Sequence, residues 1–279
     1  MSAPEIFDRA ARRLRRDRIA GRYAEHDFLR AAMLDGLLDR LASVKRTFRD
    51  VLDLGSFGGG FTLPGARIAR LDAGRRFAAM AGGLQADEDR LPFADGSFDL
   101  IVSAGVLDTV NDLPGALTLA RRALRPDGLF LAAFTGAGSL PTLRAVLREA
   151  EGDRPAPHIH PQIDVRAAGD LLVRAGLTLP VADIETLDVR YASFGRLLDD
   201  LRFMGAGNLL AGRRAMRRDT LARATAAFAA RADADGRTTE RFAILYLTGW
   251  SPSPDQPQPA RRGSATASLA AAIGKKAGG

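Results

Sequence analysis

The chain has no cysteine, which excludes disulfides, thiolate-held zinc, iron–sulfur clusters and thiol catalysis. Lysine is nearly as scarce. Of 40 basic residues only Lys45, Lys275 and Lys276 are lysine, so arginine carries the formal charge of +7 and the pI of about 10.6. Arginine spread through an alanine-rich background reads as solvated helix faces rather than a nucleic-acid surface, and only Arg12, Arg13, Arg15, Arg16 and Arg18 form a dense run. No apolar run approaches the roughly 18 residues of a transmembrane helix. The first residues carry charge from Glu5 and Asp8 onward and hold no apolar core of a secretory signal, so the expected compartment is the cytoplasm. What is present, 279 residues with 46% hydrophobic and 26% charged, suffices for one large globular domain or two small ones.

The spacing predicts helices over 4–20 and 24–43. In the second, Phe28, Leu29, Met33, Leu34, Leu37, Leu38 and Leu41 recur every three or four residues. The first is basic, with Ile6, Leu14 and Ile19 as thin apolar anchors, and reads as an arm that touches a partner, a membrane surface or the domain itself. Then Asp50–Leu54, Ala66–Leu71, Phe98–Val102 and Leu129–Phe134 read as short apolar strands. A helix over 113–124 and a turn at Arg125-Pro126-Asp127-Gly128 separate the last two. Near-continuous apolar strands alternating with helices are the pattern of a parallel sheet covered on both faces. Further helices are expected over 139–151 and 165–175, the latter closed by Gly176. One or two strands follow over 177–189, a helical insertion over 193–231 broken near Gly205–Gly212, and a last strand over 241–250. The proline-rich stretch after Ser251 reads as a disordered tail with one short helix near 266–273.

The chemistry concentrates after the first strand. Asp53 and Gly55 end it, Ser56, Gly58 and Gly59 form a glycine-rich turn, and Asp72 follows 19 positions after Asp53. Glycines let the backbone approach a ligand, and an acid at the next strand end can take both ribose hydroxyls. Taken by itself this marks a nucleoside cradle only weakly.

Three further segments sharpen it: Ala86-Asp87-Glu88-Asp89-Arg90-Leu91-Pro92-Phe93, Ser97-Phe98-Asp99-Leu100 through Ser103, and Leu124-Arg125-Pro126-Asp127-Gly128. Together they resemble the class I S-adenosylmethionine (SAM) dependent methyltransferases. The resemblance implies a Rossmann-like α/β fold with a seven-stranded, mostly parallel sheet whose last strand is antiparallel. It implies SAM as cofactor, held by Asp53, Gly55, Ser56, Gly58, Gly59, Asp72, Asp87, Glu88 and Ser103, with Asp87 facing the adenine. A narrower likeness runs along almost the whole chain, through Glu5-Ile6-Phe7-Asp8-Arg9, Val110-Asn111-Asp112-Leu113-Pro114, Leu140-Pro141-Thr142-Leu143-Arg144, Leu201–Asn208, Tyr246–Trp250 and Arg262-Gly263-Ser264-Ala265. These segments resemble the bacterial relatives of the methyltransferase-fold mitochondrial complex I assembly factor, the arginine-hydroxylase type. That implies a protein substrate, a complex I subunit. It leaves open a non-catalytic assembly factor, and a small-molecule or carrier-protein O-methyltransferase.

The chain departs from this pattern close to the ligand. Phe57 replaces the middle glycine, and its side chain is expected to point into ligand space. Pro64-Gly65 leaves little room for a first helix, and only Arg75–Met80 remains for the helix between Asp72 and Asp87. Asp108-Thr109 stands where relatives carry His-Trp. His158 and His160, with Asp164, read as polar caps of a proline-flanked loop rather than metal ligands, and His26 as structural. No residue is assigned to catalysis. The expected organisation is a helical arm over 1–45, a methyltransferase-like domain over 46–250 with 193–231 as a cap, and a tail over 251–279.

Overall fold

A computed structural model of the chain describes residues 5–152 and 156–257. Seven strands form one sheet: β1 (Asp50–Leu54), β2 (Arg67–Asp72), β3 (Leu84–Gln85), β4 (Phe98–Ala104), β5 (Leu124–Thr135), β6 (Thr178–Tyr191) and β7 (Thr238–Trp250). Their spatial order is β3-β2-β1-β4-β5-β7-β6. The pairs among β1 to β5 are parallel, and β7 runs antiparallel to both β5 and β6. This is the expected Rossmann-like class I arrangement. Strand order reverses between β1 and β4, which opens a crevice at their carboxyl ends, the usual ligand position in such sheets.

The central strands are apolar on both sides because both faces are covered. Val51, Leu100, Val102, Leu129 and Leu131 face one core. It contains α2 (Phe28–Ala42), α5 (Pro141–Glu151), α7 (Phe194–Phe203) and α8 (Arg218–Ala229). Leu52, Leu54, Ile101, Phe130 and Phe134 face the other, with α3 (Arg75–Met80), α4 (Leu113–Ala123) and α6 (Val165–Arg174). Short capping side chains start two of these helices: Asp112 accepts from the Gly115 amide at 2.8 Å, and Asp164 from that of Ala167 at 2.8 Å.

The first helix, α1, spans Arg9–Ile19 rather than 4–20. Asp8 caps it through the Ala11 amide at 2.9 Å. The residues before it are extended against the stretch after α7: Asp8 N–H donates to the Leu209 carbonyl, and Ala211 N–H to that of Ile6, both at 2.9 Å. The break in the helical insertion is therefore wider than Gly205–Gly212, because that chain pairs with the N-terminal segment. Leu177–Val189 resolves into the single strand β6. Between β1 and β2 no helix forms; Gly58, Gly59, Gly60 and Gly65 all take positive φ around Pro64. Past Trp250 the chain stays attached: Ser251 N–H donates to the Gly128 carbonyl at 2.8 Å, and its own carbonyl accepts from Asp127. Residues 258–279, with the short helix expected near 266–273, lie outside the described residues. Among those described, no helix is long and apolar enough to cross a membrane.

Candidate functional site

The carboxyl ends of β1 and β2 place the predicted cradle residues together. Gly55 takes φ 82°, and its amide and that of Ser56 both donate to the Leu71 carbonyl. A Cβ on Gly55 would lie 2.4 Å from the Val106 side chain, so only glycine lets the turn pass β4's end. Ser103 donates its hydroxyl to the Leu54 carbonyl at 2.9 Å, which ties β4 to β1. The Gly59 carbonyl accepts from Arg30 at 2.8 Å. All of these groups spend their hydrogen bonds within the chain, holding the turn against β2, β4 and α2.

The space inside it is taken. Arg16, on α1, lays its guanidinium on the Asp72 carboxylate, with Nε 2.8 Å from Oδ1 and Nη2 on Oδ2. Asp72 also accepts from the backbone amides of Gly74 at 2.7 Å and Phe57 at 2.9 Å. Burial pushes Asp72 up, but the Arg16 charge and these hydrogen bonds outweigh it and hold its pKa below the usual carboxylate range. Four residues before Arg16, and so on the same helix face, Arg12 makes a second fork. Its two terminal nitrogens sit 2.7 and 2.8 Å from Glu88, and its Nε donates to the Thr109 hydroxyl at 3.1 Å. Both arginines and both acids are buried. Further out, Arg13 reaches Asp87 at 2.5 Å, and Arg9 reaches Asp89 at 2.5 and 2.7 Å.

Phe57 completes the seal. It holds φ 47°, a region where a non-glycine residue is strained. Its ring stacks on Tyr23 at 4.6 Å between centroids, meets Phe77 edge-on at 5.4 Å, and carries the Arg16 guanidinium 3.8 Å above its face. The void left among these groups is about 50 Å³. That is room for a few waters at most, whereas small-molecule sites run to roughly 300 Å³ or more. In this arrangement the cradle does not fit SAM: its acids and glycines are of the right kind, but arginine and phenylalanine from the chain itself fill the volume.

Asp53 stands beneath this seal, fully buried, with both carboxylate oxygens lacking a hydrogen-bond partner among the described residues. Arg30 approaches to 3.6 Å. Burial raises the Asp53 pKa to about 6, against the pull of Arg30 and Arg70. The Ser56 hydroxyl is likewise buried without a partner.

Beside the closed cradle lies a second, larger cavity of about 490 Å³. It shares Arg15, Leu29, Asp108, Thr135 and Gly205 with the cradle wall and extends between α1, α5 and α7. The two loop histidines sit on it. His158 pairs with Glu151 at 2.5 Å, and His160 accepts from the Leu209 amide at 2.9 Å, so each serves local structure. His26 bonds Asp200 at 2.7 Å.

Residues 52–132 match a methyltransferase domain family. The chain is 34% identical to the zebrafish (Danio rerio) "Arginine-hydroxylase NDUFAF5, mitochondrial", over 95% of this chain and 88% of that protein. The chain belongs to the class I SAM-dependent methyltransferases. Within that family it is related both to NDUFAF5 and to the malonyl-[acyl-carrier protein] O-methyltransferase of Laribacter hongkongensis, 32% identical over 85% of this chain and 87% of that one. The YcgJ protein of Bacillus subtilis shares the fold, with a TM-score of 0.56 at 18% identity over 78% of this chain and 97% of that one. Against this methyltransferase background, what the sequence did not disclose is the role of the arginine run. Arg12 and Arg16 are the partners of Glu88 and Asp72, and the signal that could have found them was their four-residue spacing on a helix that also carries Ile19 inward.

Proposed function

We propose that this methyltransferase-like protein acts on a protein client in the assembly of respiratory complex I. The observation that carries the reading is the reach of the likeness to NDUFAF5, 95% of this chain. That reach extends well beyond the 52–132 segment common to methyltransferase domains. Use of SAM by this chain requires α1 to leave the cradle first, because Asp72 and Glu88 are already satisfied by Arg16 and Arg12. Client modification therefore couples cofactor entry to a movement of the N-terminal helix.

A second reading is favoured by the Phe57 and Arg16 contacts: an assembly factor that binds its client and no longer turns over cofactor. The carrier-protein alternative rests on the malonyl-carrier relatives, whose likeness covers less of this chain.

Deletion of the gene in its own organism is the test. Complex I assembly and NADH:quinone oxidoreductase activity should fall, and normal levels of both would overturn the proposal. Complementation with Asp72→Asn then separates the two readings, since full rescue by that variant, once shown to be folded, fits only the non-catalytic one.

A further inference from the structure

The 490 Å³ cavity beside the cradle is lined unevenly. Leu143 and Leu147 of α5, Leu201 of α7, and Phe242 of β7 give it deep apolar walls. From α1 come Arg15, next to Arg16 in the chain, and Arg18, two residues beyond it. Neither has a carboxylate partner among the described residues; Arg15 donates only to the Asn208 carbonyl. The remaining charged groups on the wall offset them only in part, since one carboxylate faces two cations. Arg202 is paired with Asp199, and His158 with Glu151. Asp108 is the one lining carboxylate, and its Oδ2 accepts the Thr135 hydroxyl. Burial and the like charges of Arg213 and Arg18 pull the Arg15 pKa below its ordinary value, against Asp8, as expected of a cation that lacks an anion.

We propose that this cavity binds a single-chain apolar molecule ending in a carboxylate, with the tail between α5 and α7 and the head on Arg15 and Arg18. The volume is in the range of small-molecule sites, and apolar walls with a few placed cations are the recognition logic for such a ligand. The same charge excludes a cationic side chain from the cavity. The inference goes beyond the client reading and stands whether or not α1 releases the cradle.

Calorimetric titration of the full-length protein with octanoate, decanoate and dodecanoate, below their micellar concentrations, is the test. Affinity should rise with tail length, by up to about fourfold per methylene. Decyltrimethylammonium should bind at least about tenfold more weakly than decanoate. In the double variant Arg15→Gln/Arg18→Gln, decanoate should lose about tenfold or more, as for a charge-assisted hydrogen bond, while decanol binding is unchanged. Arg18→Gln alone, at an exposed position, keeps the test open should the double variant misfold, and should show a smaller loss in the same direction. Equal binding of decanoate and the ammonium, retention of decanoate affinity in the folded variants, or no binding at any tail length would overturn the proposal.

Discussion

Arg16 and Asp72, 56 positions apart, form a two-point ion pair inside the crevice where the sheet's strand order reverses, with Nε 2.8 Å from Oδ1. Asp72 is the acid that the sequence assigns to a ribose. In this structure a guanidinium from the chain's own first helix takes that place, and Arg12 repeats the arrangement on Glu88.

Removing one partner of a buried pair leaves the other charged and unsatisfied, which typically costs roughly 3–5 kcal/mol. Arg16→Ala should therefore lower unfolding stability by about that much, read from the urea midpoint at pH 7. Arg16→Lys should recover only part of it, because an ammonium cannot span both oxygens. A loss under about 1 kcal/mol for Arg16→Ala would show that the pair does not hold α1 in place.

At position 57, alanine and glycine should reverse their usual order. Both lose the ring that packs on Tyr23 and Phe77, a loss of roughly 3–5 kcal/mol for a buried phenylalanine. Glycine also relieves the positive φ of 47°, which costs a non-glycine residue roughly 1–2 kcal/mol. Phe57→Gly should be the more stable of the two by about 1 kcal/mol in thermal or urea unfolding. The opposite order would mean that the turn relaxes away from φ > 0.

Asp53 sets a pH dependence of defined sign. Its folded pKa, raised to about 6, lies above the unfolded value near 3.8, so the folded state holds more protons between them. The contribution is full below about pH 4 and is lost as pH rises through about 6. Wild type should thus lose stability relative to Asp53→Asn across that window, by up to about 3 kcal/mol at 1.36 kcal/mol per pKa unit. Parallel stability–pH curves for the two proteins would contradict the burial argument.

The sheet was legible because its central strands are apolar on both sides and Gly55 closes the first of them; the turn expected at Arg125–Gly128 instead lies within β5, where the pairing with β4 shifts register. Gly176 marked a helix end that the structure keeps, with φ 83° after α6. Phe57 and Pro64 announced a disturbed cradle, and the loop they sit in is indeed helix-free. What closes the cradle was not legible, since Arg12 and Arg16 meet Glu88 and Asp72 across 76 and 56 positions, and local spacing holds no information on such pairings. The same holds for residues 5–8, whose extended path depends on the carbonyls and amides of 209–211.

The most direct measurement of the central claim is calorimetric titration of S-adenosylhomocysteine into the full-length protein and into Arg12→Ala/Arg16→Ala. If α1 fills the cradle, ligand must first displace it, and apparent affinity is reduced by the fraction of molecules that are open. Wild type should bind at least about tenfold more weakly than the folded double variant, or not measurably. Micromolar binding by wild type that the double substitution leaves unchanged or weakens would contradict the account.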